Sequence, residues 1–135
     1  MEAPNRVDSP VTLPILIQAT LRQQPDRVIV GELRTASAVN AFIQIIYTGV
    51  QGCASTIHGK SCVHAISRVQ YLLASTGNVS FELTGVLLKD AINVIVQTHR
   101  DPQWGRRITE IGEIVNGEVQ LVYRFNTETG KHEKV

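Results

Sequence analysis

The stretch Pro25-Asp26-Arg27-Val28-Ile29-Val30-Gly31-Glu32-Leu33-Arg34 decides the fold of this chain. Its three consecutive β-branched residues, bounded by a proline and a glycine, predict a short buried strand with both faces covered, as in the middle of a parallel sheet. Glu32 follows this strand, and open α/β sheets bind ligands beyond the carboxyl ends of their strands. Arg34 adds a cation at the same edge. A surface ion pair of Glu32 with Arg34, where the strand becomes a helix, is an equally good interpretation.

Composition predicts one ordinary globular domain. The chain has 135 residues, of which 43% are apolar and 19% charged. Its net charge of +1 provides no electrostatic reason to expect nucleic acid or an anionic membrane as a partner. The N-terminus has no apolar run typical of a signal peptide, and no segment reaches the ~20 apolar residues of a membrane span. A cytoplasmic location is therefore expected, with Cys53 and Cys62 as reduced structural thiols.

Hydrophobic periodicity and helix caps predict alternating helices and strands over residues 11–97. A helix over 11–23 precedes the strand at 27–31, and Thr35 or Ser37 caps the next helix, which ends at Thr48-Gly49. After it we expect a strand over 52–58, a helix capped by Ser61 and ended by Gly77-Asn78, a helix over 80–90, and a strand over 92–97. This alternation is typical of a parallel, layered α/β sheet.

The C-terminal part changes to a β-hairpin. Residues 106–115 are predicted to be extended, Asn116-Gly117 indicates a type I′ turn, and residues 118–125 return as a strand. Apolar residues alternate along this returning strand, which predicts one buried face. Trp104, in the turn before the hairpin, is interpreted either as a partner contact or as cover for the sheet end. Residues 1–10 are expected to be an extended lead-in, and residues 126–135 a polar, frayed tail.

Several motifs resemble, in the same order, those of the ATPases that drive type II and type IV secretion, pilus assembly and conjugal transfer. Residues 25–34 resemble the Walker B region of that family. Thr48-Gly49-Val50-Gln51-Gly52, followed by Ser55-Thr56-Ile57-His58-Gly59, resembles its histidine box. The other matching segments are 11–22 before Walker B, Ala65-Ile66-Ser67-Arg68 after the box, and the late strand Arg106-Arg107-Ile108-Thr109-Glu110-Ile111. Together they cover roughly residues 5–125, and ordered motifs are more specific than any single one.

The resemblance implies the C-terminal half of a RecA-like P-loop NTPase core, as a partial ATPase domain over residues 11–125. Glu32 would be the Walker B acid, acting on the attacking water and, indirectly, on Mg²⁺ through its water shell. His58 would lie near the γ-phosphate as a sensor, and Gly31, Arg34 and Thr56 complete the implied nucleotide-binding set. Phosphoryl transfer depends on positioning and charge stabilisation, which suits a carboxylate, a metal and nearby cations.

The resemblance also implies partners. Identical or related ATPase subunits would form a hexameric ring with ATP at the subunit interfaces. The ring would act on secretion or conjugation machinery at the cytoplasmic face of the inner membrane. No specific contact with nucleic acid is predicted.

Two residues of the histidine box depart from the family pattern. Val50 stands where the family usually has histidine, and Gly59 stands where alanine is common.

No phosphate-binding loop, Gly-x-x-x-x-Gly-Lys-Ser/Thr, precedes the Walker B strand. Residues 54–61 fit the loosest form of that pattern, but their interior is β-branched rather than glycine-rich. ATP and Mg²⁺ are therefore expected only together with the missing P-loop half, and turnover by this chain alone is expected to be negligible.

Three functions fit these patterns. The first is part of an ATP-hydrolysing motor subunit for type IV secretion, conjugal transfer or pilus assembly, incomplete without the phosphate-binding loop. The second is a non-catalytic interaction module, or truncated remnant of such an ATPase. The third is an unrelated small nucleotide-binding protein that uses Gly59-Lys60-Ser61. A sheet that lacks a neighbouring strand is also expected to have an open edge and exposed apolar faces.

Overall fold

The structure is a computed structural model that describes residues 10–135. The elements formed by these residues are α1 (Leu13–Leu21), β1 (Ile29–Val30), α2 (Ala36–Tyr47), β2 (Ala54–Ser55), α3 (Cys62–Ala74), α4 (Phe81–Ala91), β3 (Val94–Asp101), β4 (Gly105–Val115), β5 (Glu118–Asn126) and β6 (Lys131–Lys134). They divide into two compact units. The first runs to Ile57 and includes Leu72–Ser80, and the second comprises His58–Tyr71 and Phe81–Val135. The predicted lead-in lies outside the described residues, apart from Pro10.

The helices match the predicted ones because their start signals are local. Thr35, rather than Ser37, caps α2: its Oγ1 accepts the N–H of Ala38 at 3.3 Å. Ser61 caps α3 in the same way and accepts the N–H of His64 at 3.1 Å. Within residues 10–135, no helix combines the length and the apolar character needed to cross a membrane.

The first unit combines α1 and α2 with a two-stranded parallel sheet. β1 pairs with β2 through Ile29↔Ala54 and Val30↔Ser55, as expected for strands joined by a crossover helix. α2 buries one continuous apolar face, whose buried residues are Ala38, Val39, Ala41, Phe42, Ile43 and Ile45. Among the described elements of this unit, α2 packs against α1.

β1 is shorter and more exposed than predicted. It comprises two residues instead of 27–31, and Ile29 is 78% exposed, whereas Val28 and Val30 are buried. The prediction that both faces of this strand are covered was therefore wrong. The reason is that β2 is the only strand neighbour of β1 within residues 10–135, so nothing described covers the face of Ile29. For the part of the chain that the structure describes, the expected open edge and exposed apolar face are confirmed.

The second unit contains a four-stranded antiparallel sheet in the order β3-β4-β5-β6. The strand predicted over 92–97 is β3, and it pairs antiparallel with β4. The expectation that it continues the parallel sheet was wrong, because a short turn joins β3 to β4 and parallel strands need a long crossover. Asp101 holds this turn by accepting the N–H groups of Gln103 and Trp104, each at 2.8 Å.

The predicted type I′ turn joins β4 to β5. Asn116 and Gly117 have φ of 50° and 83°, and this turn type requires positive φ at both central residues. The single buried face expected for β5 holds only in part, because Phe125 is buried while Tyr123 is 41% exposed. A register shift in the β4–β5 pairing interrupts the alternation at this point.

The C-terminal residues form a strand, so the expected frayed tail was wrong. β6 pairs with β5 from Asn126↔Lys131 to Tyr123↔Lys134. The Asn126 side chain builds the turn between them, since its Oδ1 accepts the N–H groups of Glu128 at 2.9 Å and Thr129 at 3.2 Å. A polar sequence thus forms an edge strand because its turn is specified by one asparagine.

Trp104 covers the end of the sheet, which supports one of its two interpretations. Its Nε1 donates to the carbonyl of Thr127 at 3.0 Å, and its ring packs edge-on against Phe125. The ring lies against Gly130, where an added Cβ would approach the indole to 2.6 Å. Trp104 therefore connects the β3–β4 turn to the β5–β6 turn.

Gly112 allows the first residue of α3 to lie close to β4. A Cβ at this position would lie 2.8 Å from Cγ1 of Val119 and 3.3 Å from Cβ of Cys62. Val119 is branched at Cβ and has few alternative rotamers, so it cannot easily make room. The packing of α3 on the sheet therefore requires glycine here.

We expect Gly112→Ala to lower the free energy of unfolding by about 1–3 kcal/mol, as overpacking of a tight contact does. Gly31→Ala is the matched control, because a Cβ at Gly31 meets nothing within 4 Å. Urea unfolding followed by circular dichroism measures both variants. Equal stability of Gly112→Ala and the parent chain would contradict the close approach.

Candidate functional site

The backbone on both sides of Glu32 is hydrogen-bonded to Thr56. The Thr56 hydroxyl donates to the carbonyl of Gly31 at 2.6 Å, and the Leu33 N–H donates to the carbonyl of Thr56 at 2.9 Å. These bonds extend the parallel pairing of β1 and β2 beyond the strand ends. Three of the predicted site residues, Gly31, Glu32 and Thr56, are thereby brought together at the carboxyl edge of the sheet.

Glu32 and Arg34 form an ion pair with an Nη2–Oε2 distance of 2.7 Å. Leu33 between them is 5% exposed, whereas the side chains of Glu32 and Arg34 are 24% and 76% exposed. The hydrogen bond and the charge of Glu32 both raise the pKa of Arg34. The Arg34 side chain is 76% exposed, so solvent screens the pair and its contribution to stability is small. This geometry suits both interpretations of the pair.

His58, the other predicted catalytic residue, lies in the second unit at the start of segment 58–62 and is exposed. The structure therefore describes Glu32 and His58 in separate units. Two side chains of the sheet bind the segment after His58. The Gln97 Nε2 donates to the carbonyl of Gly59 at 3.0 Å, and Oε2 of Glu110 accepts the N–H of Cys62 at 2.9 Å.

No role for Gln97 or Glu110 was predicted from the sequence. Glu110 does belong to the late-strand motif at 106–111, which was the available signal. No sequence signal pointed to Gln97, because a polar residue in a strand is ordinarily solvated.

The same bonds argue against a phosphate-binding loop at 54–61. A phosphate needs free backbone N–H groups at the start of the following helix. Here the Lys60 N–H is donated to Nδ1 of His64 at 3.3 Å, and the Cys62 N–H to the Glu110 carboxylate. A carboxylate thus already lies where the phosphate would bind, so the third function class, built on Lys60, is disfavoured.

A cavity of about 560 Å³ lies at the opposite edge of the parallel sheet. Asp26, which precedes β1, and Val50, which precedes β2, both line it. Its lining contains none of the five predicted site residues, all of which the structure describes. Val50, which stands where the family usually has histidine, therefore lines this cavity and not the surroundings of Glu32.

Within residues 10–135, no group of three or more histidine, cysteine or acidic side chains is arranged to hold a metal ion. Mg²⁺ in nucleotide enzymes keeps several water ligands and is otherwise bound by one or two carboxylates and the substrate phosphates. Glu32, with its side chain 24% exposed, is accessible enough to contact such a water shell.

Cys62 is fully buried, and burial together with the Glu110 carboxylate raises the pKa of its thiol. We therefore expect a thiol reagent at neutral pH to label the half-buried Cys53 in the folded chain and Cys62 only after unfolding. Mass spectrometry of the labelled chain reads this out. Rapid labelling of Cys62 in the folded chain would contradict its burial.

The raised pKa of Cys62 also predicts a loss of stability in alkali. The folded chain holds this proton more tightly than the unfolded chain, so the contribution is complete below the unfolded pKa of about 8.5 and is lost as the pH rises above it. Thermal unfolding between neutral and alkaline pH should therefore show a steeper decline for the parent chain than for Cys62→Ala. Parallel declines would contradict this expectation.

We expect Thr56→Val to lower the free energy of unfolding by about 1 kcal/mol, because the carbonyl of Gly31 loses its donor. Val keeps the branched shape of threonine, so packing changes little. Thr98→Val is the matched control, since Thr98 is exposed on β3. Urea unfolding compares the two, and an equal effect of both variants would contradict a specific role of the Thr56 hydroxyl.

Comparison with known proteins identifies the family. The family model described as Type II/IV secretion system protein matches residues 6–124. The chain is 33% identical over 120 residues to the conjugal transfer protein TrbB of Rhizobium radiobacter, covering 87% of this chain and 36% of that protein. It is 36% identical over 109 residues to VirB11 of Agrobacterium fabrum, covering 77% of this chain and 30% of that protein. The chain therefore spans about a third of the length of these relatives.

Solved structures agree with this result. The VirB11 ATPase of the Brucella suis type IV secretion system, crystallised in complex with sulphate, matches with a TM-score of 0.73 at 27% identity, over 80% of this chain and 33% of that one. The Yersinia pseudotuberculosis ATPase DotB shares the fold, with a TM-score of 0.62 at 18% identity, over 78% of this chain and 27% of that one. The fold class predicted from the sequence is confirmed. The chain belongs to the type II/IV secretion system protein family.

Proposed function

We propose that this chain is the Walker B and histidine-box part of an ATP-hydrolysing motor subunit that energises type IV secretion, conjugal transfer or pilus assembly. The observation that carries the proposal is the placement of Glu32. Its carboxylate follows a parallel strand in a chain of this family, and Thr56 binds the backbone on both sides of it. ATP sites of open α/β sheets lie at this edge.

The residues at this edge fit part of an ATP–Mg²⁺ site. Glu32 would orient the attacking water and contact the water shell of Mg²⁺, which would supply charge stabilisation to the phosphates. Arg34, highly exposed, would exchange its bond to Glu32 for a phosphate oxygen, and Gly31 and Thr56 would hold the backbone in place. His58 would sense the γ-phosphate. The missing P-loop half would supply the amide cradle that residues 58–62 do not offer.

The proposed motor is a ring hexamer of identical or related subunits, working with secretion or conjugation machinery from the cytoplasmic side of the inner membrane. The exposed Ile29 on β1 supports the need for a further element at this sheet. An apolar side chain 78% exposed, on a strand whose second edge has no strand partner among residues 10–135, is a site for strand addition. A non-catalytic docking module would use the same edge, and this observation makes it the second candidate function.

We expect the chain alone to bind ATP–Mg²⁺ weakly and to hydrolyse it negligibly. Mixed with a purified segment that carries the P-loop half of a related ATPase, it should show turnover, measured as phosphate release. Glu32→Gln should abolish this turnover, because the neutral amide cannot act on the attacking water. Asp26→Asn is the matched control, since Asp26 is exposed at the opposite end of the same strand.

Three outcomes decide between the candidate functions. Turnover on mixing that Glu32→Gln abolishes and Asp26→Asn preserves supports the motor. Association without turnover supports the docking module. Tight nucleotide binding by the chain alone, abolished by Lys60→Ala, would overturn both and return to the third function class.

A further inference from the structure

Segment 58–62 is bound to the antiparallel sheet at two points, one on each side of Lys60. The carbonyl of Gly59, the residue next to His58, accepts a hydrogen bond from Gln97 at 3.0 Å. The N–H of Cys62, the first residue of α3, donates to Glu110 at 2.9 Å. Every one of these residues belongs to the second unit.

The side-chain amide of Gln97 forms two hydrogen bonds. Its Nε2 donates one hydrogen bond to Gly59 and another to the carbonyl of Thr98, also at 3.0 Å. A primary amide has two N–H groups, so both are used. The side chain thus links β3 to the carbonyl of Gly59.

Glu110 binds the beginning of α3 by charge as well as by geometry. Its carboxylate accepts a backbone N–H that has no partner within the helix, at the end where the helix dipole favours a negative charge. Such charge-assisted bonds are roughly twice as strong as neutral ones. Glu110 therefore adds a bond from the sheet to the first residue of α3, which Ser61 caps locally.

Gln97 and Glu110 are direct partners in the β3–β4 register. Their side chains consequently lie side by side on one face of the sheet, toward segment 58–62. A register shift follows immediately, between Gln97 and Thr98, and bulges of this kind re-aim side chains near functional sites. One cross-strand pair, Gln97 and Glu110, therefore binds the backbone at both ends of segment 59–62.

We propose that Gln97 and Glu110 are positioning residues for His58. By fixing the carbonyl of Gly59 and the start of α3, they restrict the backbone that carries the imidazole. This inference deepens the proposed function, since the sensor role of His58 belongs to that proposal. Neither side chain is required to contact nucleotide, so both act through the backbone.

The first test uses NMR on the intact chain and needs no turnover. Gln97→Leu should shift the imidazole resonances of His58 and the amide resonances of Gly59 and Lys60, while amide signals of β5 and β6 stay in place. The His58 signal is identified among the four histidines by its loss in His58→Gln. Gln120→Leu, at an exposed position of β5, is the matched control and should leave His58 unchanged.

A second pair of variants, at Glu110, separates the effect of charge from that of hydrogen bonding. It also keeps the test valid if Gln97→Leu folds poorly. Glu110→Leu removes the acceptor and should shift the His58 resonances. Glu110→Gln keeps an acceptor oxygen and should largely restore them. Glu113→Leu, exposed on the same strand, is its control. If His58 resonances match the parent in Gln97→Leu and Glu110→Leu while stability falls, the two residues are merely structural and the proposal is overturned.

In the reconstituted ATPase, Gln97→Leu should lower kcat by up to about 100-fold, the scale of loss when a reacting group is displaced by ~1 Å. The KM for ATP should change little, because Gln97 is not placed in the nucleotide-binding set. Absence of turnover in every mixture would count against the proposed function while the NMR result still decides the positioning role. Restored turnover with an unchanged kcat in Gln97→Leu would overturn the positioning role alone.

Discussion

The hydrogen bonds between Thr56 and the backbone around Glu32 are the constraint on which the candidate site depends. The parallel sheet of the first unit is only two residues long on each strand, which is too little to orient a side chain beyond its end. Thr56 extends the pairing by one side-chain bond to Gly31 and one backbone bond to Leu33. Glu32 lies between these two points, so its backbone has little freedom, although its carboxylate is accessible.

Segment 56–62 connects this arrangement to the second unit of the chain. Thr56 is bonded within the first unit, whereas Gly59 and Cys62 are bonded within the second, to Gln97 and Glu110. His58 follows the first set of bonds and precedes the second. The antiparallel sheet, which carries no residue of the predicted site, thus binds the backbone that follows the predicted sensor.

The two residues of the histidine box that differ from the family pattern, Val50 and Gly59, have different structural surroundings. Val50 lines a cavity at the amino edge of the parallel sheet, on the side away from Glu32. Gly59 lies against α3, where an added Cβ would be 3.2 Å from both Cα and Cβ of Ala65. Glycine at 59 is therefore the residue that the close packing of this loop accommodates best, whereas alanine would require the loop to shift.

Local signals allowed much of the fold to be predicted. The caps Thr35 and Ser61 and the turn Asn116-Gly117 each depend on neighbours within about four residues, so no knowledge of the tertiary structure was needed. The motif order also placed Glu32 at a strand end and identified the family. These features are determined by the sequence because their energies arise between residues that are close along the chain.

Tertiary structure decided the remaining features. The exposure of Ile29 depends on which elements cover β1, the direction of β3 on how its turn closes, and the strand at 131–134 on a register with β5. Gln97 and Glu110 find their partners 38 and 48 residues away, and no local pattern encodes such a meeting. The sequence by itself determined the helices, the tight turns and the family. The tertiary structure alone decided which strands pair and which side chains bind the backbone after His58, because those depend on contacts between residues far apart in the chain.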